Sequence, residues 1–437
     1  VADLLASHPG LILSRSFRGS TIQINGMGAK HVLVLVDGLR INGRIDGAVD
    51  LSRFAVHDLE RVEILKGPGS ALYGSDAMGG VINIITRKTK RPFEADADVS
   101  FATLTTLATH ARLGFLKKGW RLRLSGGYFR TDAYDLNPDD PTTNGSARNE
   151  WSLRGRLGYE LNRRTKLFFG TSYLRRDLAG VDANSAGAVF DRLKRIEAFT
   201  GVFGTRLRFP APSRLSITAQ YRLYRDQFAL DQRNSAALDR AEETLDHLTQ
   251  LSIQYDHFWD SHTLNLGLEG ILEFLRSVRL VDGKGERYRG ALYAQHEWTM
   301  LSKPRLILVL GARLDLDSKY GAFPAPKVSV LLDLHRKVTM RLGYGMGFRS
   351  PDFKELLLLF ENLSANYVVE GNPELEVAHR IKPFALADGG TMMYARPKRG
   401  KSYMAMTMAV CVDAGLDKFW SVEQCNVLYI NLESFLN

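Results

Sequence analysis

The residues with the most specific chemical spacing lie near the carboxyl end, in the stretch ARPKRGKS at positions 395–402. A small residue, four intervening positions and Gly-Lys-Ser form a phosphate-binding loop when they connect a strand to a helix. In such a loop the backbone N–H groups around Gly400 hold the β-phosphate, Lys401 reaches the β- and γ-phosphates, and Ser402 binds magnesium. The spacing therefore predicts nucleotide binding, with ATP and Mg²⁺ as ligands.

The elements that must hold this loop are predicted to be a strand and a helix. Met392 to Tyr394 end a strand, and Tyr403 to Ala414 form a helix that stops at Gly415, a suitable C-cap. The stretch also resembles the RecA-like ATPases of plasmid replication helicases, through ARPKRGKSYMAMTMAV and the later strand NVLYINLES. That resemblance implies a carboxylate that activates the attacking water after the later strand, and Glu433 is the matching position. A solvated glutamate at a strand end explains Glu433 equally well.

Other classes of site find little support in the sequence. There is no Ser/His/Asp, paired-carboxylate or zinc spacing, and the only two cysteines, Cys411 and Cys425, lie in the last stretch. The net charge of +10 is spread along the chain without a run typical of a nucleic-acid arm, so no nucleic-acid partner is expected for residues 1 to about 378. Because the rest of an ATPase core would lie beyond Asn437, we expect no enzyme activity.

The first ninety residues are predicted to form a small α+β domain. HVLVLVDGLRING contains a buried strand, His31 to Val36, a turn at Asp37-Gly38 and a second short strand. LERVEILKGPGSALYGSDAMGGVINIITRK contains another strand, a glycine-rich turn region and a last strand, Val81 to Thr86. The glycines do not have the spacing of a dinucleotide-binding loop, so tight turns are the favoured interpretation.

From Arg91 onward the sequence alternates apolar and polar residues in long runs, such as WRLRLSGGYFR, WSLRGRLGYEL and RLILVLGARLDLD. Alternation over roughly ten residues, with aromatic residues near the ends, is typical of strands between lipid and a polar lumen. Strands of a soluble sandwich also alternate, but they usually have only about five or six residues. The pattern therefore favours an antiparallel membrane β-barrel.

Several motifs resemble those of TonB-dependent outer-membrane receptors. VLVLVDGLRING, DLERVEILKGPGSALYGSDAMGGVINIIT and the ING before MGAKHVLV are similar to the plug domain of the receptors for cobalamin, haem and catecholate siderophores. Residues 347–376 are similar to the barrel segment that runs from F-R-x-P to G-N-P-x-L. Pro351 ends strand pairing because it lacks an N–H, and Asn372-Pro373 makes a turn. The matching positions are Phe348, Arg349, Pro351, Glu355, Gly371, Asn372, Pro373 and Leu375.

This resemblance implies a receptor in the lipid of a bacterial outer membrane that imports an iron chelate, haem or a corrin. It implies no cofactor for the receptor and a TonB-type protein as the energy-transducing partner, although a chain that starts at Val1 is expected to lack the TonB-contacting segment. Ligand contacts are expected in two plug loops, Gly26 to Lys30 and Gly43 to Val49, because loops on a rigid scaffold usually carry binding. The candidates are Met27, Arg44 and Asp46.

Three parts are therefore expected: a plug at 1–90, an incomplete antiparallel transmembrane barrel at 91–378, and a short α/β P-loop segment of cytoplasmic type at 379–437. Residues 91–378 have room for about fourteen strands, whereas such receptors close with about 22 around a plug. An open edge in hydrocarbon leaves backbone groups unpaired, so we expect this barrel not to transport alone. The alternatives are a truncated receptor, a P-loop ATPase fragment, or a hybrid of two gene fragments without a function of its own.

Overall fold

The structure is a computed structural model that describes residues 2–16, 19–45, 48–54, 58–66, 70–137, 139–184, 186–335, 338–362, 367–376, 408–412 and 426–434. Its amino-terminal domain, called the plug below, contains short helices and strands. These are α1 (Ala2–Ala6), β1 (Leu11–Ser16), β2 (Gly19–Ile24), β3 (Val32–Val36), β4 (Leu39–Arg40), β5 (Arg44–Ile45), β6 (Ala48–Val49), β7 (Leu59–Lys66), α2 (Ser70–Tyr73) and β8 (Gly80–Thr86). Two 3-10 turns, Ala29–His31 and Leu51–Arg53, precede β3 and β7.

The plug is built around a four-stranded sheet in the order β4-β3-β8-β7. Strands β3 and β8 run parallel, and the other neighbours are antiparallel. The apolar run of β3 is buried on both faces, as is typical of a parallel pair. Asp37 and Gly38 have φ angles of 51° and 84°, so the predicted turn between β3 and β4 is confirmed.

A long antiparallel sheet follows the plug. Within the described part of residues 93–345 it contains thirteen strands, close to the number predicted, and each pairs with the next along the chain. They are β9 (Phe93–Ala102), β10 (Thr106–Lys117), β11 (Trp120–Thr131), β12 (Ala147–Glu160), β13 (Thr165–Ala183), β14 (Val189–Arg208), β15 (Ser213–Gln232), β16 (Arg240–Phe258), β17 (His262–Ser277), β18 (Lys284–Ser302), β19 (Arg305–Asp317), β20 (Gly321–His335) and β21 (Val338–Gly345).

The predicted alternation of these strands is confirmed by burial. In β11, Trp120 and Leu124 are exposed on the outer face, whereas Ser125 is buried against the plug. In β15 and β16, Gln220 and Gln250 face the lumen and are buried there. Polar side chains therefore line the interior, and the apolar face points outward as a lipid-facing barrel requires.

The remaining described elements are α3 (Phe353–Leu357), β22 (Leu359–Asn362), β23 (Tyr367–Glu370), β24 (Met408–Val412) and β25 (Asn426–Ser434). Strand β25 pairs antiparallel with β21, and β24 pairs antiparallel with β25. The helix predicted from Tyr403 to Ala414 is therefore wrong at Met408–Val412. The predicted strand NVLYINLES is confirmed, but it extends an antiparallel sheet, whereas a strand–loop–helix unit belongs to a parallel one.

The complete sheet has fifteen strands in the described part of the chain, from β24 and β25 through β21 to β9. Its two outer strands, β9 and β24, do not pair with each other in that part, so the sheet is of barrel type without being closed. Among the described residues, no helix is long and apolar enough to cross a membrane.

Candidate functional site

The connections between strands differ at the two ends of the sheet. At one end the turns are short, at residues 118–119, 161–164, 209–212, 259–261 and 303–304. The other end has three longer connections, at residues 132–146, 233–239 and 278–283, beside three-residue turns at 103–105 and 318–320. Membrane barrels have short turns on the periplasmic side and longer loops on the extracellular side, so the second end is called the outer end below.

The β5–β6 hairpin of the plug is held at the outer half of the lumen. The Asn42 side chain donates a 2.7 Å hydrogen bond to the Asp246 carbonyl, and the Gly43 N–H donates a 2.9 Å bond to the Asp246 carboxylate. Gly43 has a φ of +73°, and an added Cβ would lie 2.4 Å from the Tyr224 ring. Only glycine therefore fits this backbone without a shift of its neighbours.

Of the three predicted ligand-binding residues, the structure describes two, Met27 and Arg44. Met27 is half-buried in the turn between β2 and β3, where its Cβ would lie 2.8 Å from a Cβ added at Gly79. Arg44 begins β5, and Asp46 lies outside the described residues. Strand β6 lies against the 3-10 turn Ala29–His31, so the two predicted loops are adjacent. Ligand contact by Met27, Arg44 and Asp46 stays a prediction.

A small pocket of about 100 Å³ lies beside the hairpin, between the plug, the barrel and α3. Charges of both signs line it, and its polar walls could orient a ligand that carries several oxygen donors. The charged lining residues are Arg40, Asp76, Asp226, Asp246, Glu273, Arg287, Arg289, Asp352 and Lys354. Within the described ranges, no three His, Cys, Asp or Glu side chains are grouped closely enough to hold a metal ion.

Asp50 fastens the plug to the barrel wall below this hairpin. Its carboxylate accepts hydrogen bonds from the backbone N–H groups of Ser20 and Ser52, at 2.8 and 2.9 Å, and from Arg176 on β13, at 3.1 Å. Arg176 also donates to Glu150 at 2.5 Å. Burial acts to raise the pKa of Asp50, but Arg176 and these hydrogen bonds outweigh it and hold the pKa below its usual value.

Arg40 forms a second buried connection. Its guanidinium pairs with Asp76 at 3.2 Å and donates to the carbonyls of Tyr73 and Ser75 at 2.5 and 2.9 Å. The Arg40 carbonyl accepts a 2.9 Å bond from Gln220 on the barrel wall. This cluster holds β4 to the turn after α2 and to the wall at the same time.

Helix α2 meets the opposite wall through arginines of the barrel. Arg313 donates to the Leu72 carbonyl at 3.2 Å and pairs with Glu269 at 2.9 Å. Arg289 donates to the Ser75 hydroxyl at 2.7 Å and pairs with Glu273 at 2.6 Å. Arg313 and Arg289 are therefore each shared between a barrel carboxylate and the plug.

The segment after β21 folds back onto the plug. Arg349 pairs with Glu355 at 2.6 Å, and Asp352 forms a capping box with Glu355 at the start of α3. The Phe348 carbonyl accepts a bond from the Asp76 N–H at 3.4 Å. The predicted turn at Asn372-Pro373 is confirmed, because the Asn372 side chain accepts a 2.9 Å bond from the Glu374 N–H.

His31 in the plug has a lowered pKa. Burial, followed by the nearby charges of Arg349 and Lys30, lowers its pKa to about 4. Its Nδ1 atom is buried and has no hydrogen-bond partner among the described residues. His31 is therefore neutral at physiological pH.

The predicted nucleotide-binding residues Gly400, Lys401 and Ser402 lie outside the described residues, as does the magnesium contact of Ser402. Glu433 is part of β25, where it is opposite Thr339 of β21. The sequence gives no way to find Asp50, Arg40, Arg176 or Asp246, because the contacts Arg40–Asp76, Arg176–Asp50 and Asp246–Asn42 join residues 36, 126 and 204 positions apart. The only sequence feature that points to these residues is the alternation of the strands, which places the barrel arginines on the lumen face.

Two protein-family models match the chain. The TonB-dependent receptor plug domain matches residues 1–81, and the TonB-dependent receptor-like β-barrel matches residues 65–381. The iron-regulated outer membrane virulence protein of Vibrio cholerae is 27% identical over 409 residues, which cover 86% of this chain. The chain spans 58% of the length of that relative.

Several solved structures share the fold. The siderophore receptor PirA of Acinetobacter baumannii superposes with a TM-score of 0.70 at 17% identity, covering 86% of this chain and 64% of that one. The ferric enterobactin receptor PfeA of Pseudomonas aeruginosa, a mutant in complex with enterobactin, gives 0.70 at 18% identity, covering 86% and 65%. The copper transporter OprC gives 0.67 at 16% identity, covering 81% and 61%.

Proposed function

The chain belongs to the TonB-dependent receptors, and from this premise we propose that it binds an iron chelate at the outer face of its plug and serves in uptake across a bacterial outer membrane. The observation that carries the proposal is the outer pocket, where plug, barrel and α3 bring charged side chains together beside a fixed hairpin. Siderophore is the favoured class of chelate, because the names of the similar structures refer to siderophores and to ferric enterobactin. Haem and corrins stay predictions from the sequence.

The ligand contacts proposed are Met27, Arg44 and Asp46. A thioether, a cationic and an anionic side chain suit a ligand with both polar and apolar parts. The rigid support comes from the hydrogen bonds of Asn42 and Gly43 to Asp246, which keep the hairpin from moving when a ligand binds.

Transport requires the plug to move within the barrel, and the buried ion pairs of Asp50 and Arg40 oppose that movement. A TonB-type partner is proposed to supply the work, since ATP is not available at an outer membrane. No cofactor of the receptor itself is proposed.

The test is to measure the binding of ferric enterobactin to the full chain in detergent micelles, with tryptophan fluorescence as the readout. We expect saturable binding that weakens about tenfold or more when Met27, Arg44 and Asp46 are all changed to alanine, since charged hydrogen bonds contribute ~1.5–3 kcal/mol each. Exposed charges at the opposite end, Arg163 and Arg164, provide the matched alanine control. Unchanged affinity in the triple variant would refute the residue assignment, and absence of binding in the wild type would refute the function.

Nucleotide binding at residues 395–402 is a separate prediction with a separate test. Equilibrium binding of a fluorescent ATP analogue to the full chain should be lost in Lys401→Ala if the motif functions as a phosphate-binding loop. The antiparallel pairing of β24 with β25 favours the receptor interpretation instead.

A further inference from the structure

A large cavity lies between the plug and the barrel at the end with short turns. Its volume is about 860 Å³, which is within the range of small-molecule sites. Its walls are the Asp37-Gly38 turn and the last plug strand on one side and strands β10 to β15 of the barrel on the other. This cavity, called the inner chamber below, is separate from the outer pocket beside the β5–β6 hairpin.

The inner chamber is strongly cationic. Eleven of its lining residues are lysine or arginine, and five are aspartate or glutamate. The carboxylates already have partners: Asp37 accepts from Arg156 at 2.9 Å, and Asp58 accepts from the Ser125 hydroxyl at 2.5 Å. Glu60 pairs with Lys90 at 2.9 Å, Glu150 pairs with Arg176, and Glu160 pairs with Lys166. The excess positive charge is therefore not neutralised by the chamber's own acids.

Arg222 on β15 is one of the cations that line the chamber. Only 7% of its surface is exposed, although it lines the chamber. Its Nε donates a 2.8 Å bond to the Gln220 side chain, and neither terminal nitrogen donates a hydrogen bond to any described residue. The charges that act on it most strongly are those of Arg53, Arg154 and Asp37, two cations and one anion that Arg156 already pairs.

Arg222 is largely buried and lacks a carboxylate partner among the described residues, so its charge loses part of its hydration and is not compensated by a protein acid; its terminal nitrogens are open to the chamber. Native structures retain such a group where a ligand supplies the missing charge, and guanidinium groups match the geometry of carboxylates, phosphates and other oxyanions. Arg53, which donates to the carbonyls of Asp50 and Asn42, and Arg154, which lies 3.8 Å from the Asp58 carboxylate, add positive charge near Arg222.

We propose that the inner chamber is an anion-binding site, with Arg222 at its centre, that receives the iron chelate after it has passed the plug. This deepens the proposed function and rests on it, because it restricts the cargo to chelates whose ferric complex has a net negative charge, such as tris-catecholates. A neutral complex, such as a ferric tris-hydroxamate, could not compensate the positive charge of Arg222.

The experiment is isothermal titration calorimetry of the full chain in detergent micelles with inorganic pyrophosphate, a small polyanion without iron. We expect binding by the wild type that weakens tenfold to a hundredfold in Arg222→Gln, because charge-assisted hydrogen bonds are lost. Arg222→Lys should retain part of the affinity. Arg233→Gln, which removes the same charge at the outer end where Arg233 pairs with Asp191, should bind as the wild type does.

Folding is monitored in each variant by the far-ultraviolet circular dichroism of the barrel. If Arg222→Gln does not fold, Arg154→Gln replaces it, with the same loss expected. Pyrophosphate affinity that is unchanged in these variants, or absent in the wild type, would overturn the proposal.

Binding measurements with two iron complexes then distinguish a failure of this proposal from a failure of the proposed function. A ferric tris-catecholate should depend on Arg222, whereas a ferric tris-hydroxamate should not. Pyrophosphate binding through Arg222 with no binding of either iron complex would refute the proposed function and leave the anion site standing. Binding of both complexes with equal affinity would refute the restriction to anionic cargo.

Discussion

At Asp50 a single buried carboxylate joins the β1–β2 hairpin, the turn after β6 and the barrel wall, through Ser20, Ser52 and Arg176. Asp50→Asn should destabilise the docked plug by about 3 kcal/mol, because Arg176 would keep its charge and lose a partner in a buried site. The measurement is urea unfolding of the full chain in micelles. Hydrogen-exchange mass spectrometry of plug peptides reports the unfolding of the plug.

The matched control for Asp50 is another acid of the plug in an exposed ion pair. Glu63 pairs with Arg61 at 2.6 Å, and both side chains are about half exposed. Glu63→Gln should change the unfolding free energy by less than about 1 kcal/mol, because solvent screens exposed pairs. Equal effects of the two substitutions would contradict a special role for the buried pair.

His31 should make the stability of the plug depend on pH. Its pKa in the folded plug is about 4, below its ordinary value of 6.5, so the unfolded chain binds the proton more tightly. The stability of the plug should therefore fall as the pH decreases from 6.5 to 4, by about 1–2 kcal/mol, because His31 is only partly buried and solvent screens part of the effect. His31→Phe, which cannot titrate, should remove this dependence in the same unfolding experiment, after correction of exchange rates for pH.

The contribution of Asp50 to plug stability is lost in a different pH range from that of His31, so Asp50 serves as an internal reference. Because its pKa is held below the usual value, its contribution is present above pH 4 and is lost only as the pH falls further. At pH 5 the Asp50 contribution should be intact while that of His31 is already reduced. A wild type and a His31→Phe variant with the same loss between pH 6.5 and 4 would rule out His31 as the source.

At the scale of elements, the β5–β6 hairpin depends on the backbone of Gly43. Gly43→Ala should destabilise the docked plug by about 1–3 kcal/mol, because the residue needs a positive φ and the methyl group would meet Tyr224. Gly28→Ala is the control, since an added Cβ there has nothing within 4 Å. Hydrogen exchange of peptides that span residues 39–54 reports the difference, and a similar effect at Gly28 would contradict the steric argument.

Elements with a regular local pattern could be predicted from the sequence. The alternation of β11 fixed both its length and its outward face, because a residue's face follows from the two-residue period alone. The helix predicted at Tyr403–Ala414 failed at Met408–Val412 for the converse reason. Its residues suit either structure, and pairing with β25, 14 to 22 positions further along the chain, decides the outcome.

The connections that make the molecule one unit could not be predicted in this way. Arg176 and Asp50 are 126 positions apart, and Arg313 meets Leu72 across 241 positions. A strand pattern tells which side chains face the lumen, but the pairing depends on how deep the plug sits and how it is rotated. The same reason hides the inner chamber, whose cationic wall is distributed over five separate strands.

The edge of the whole barrel sheet offers the last test. Strand β25 covers the edge of β21 from Val338 to Gly345, which gives partners to backbone groups that would otherwise be unsatisfied in lipid. Ile430→Pro should break this ladder opposite Leu342, because proline has no N–H to donate. Hydrogen exchange in β21 should then increase many-fold, while exchange in β15, within the sheet, stays unchanged. If β21 is equally protected in Ile430→Pro, the carboxyl-terminal segment is not a strand of the barrel, and an independent nucleotide-binding unit would be the better description of it.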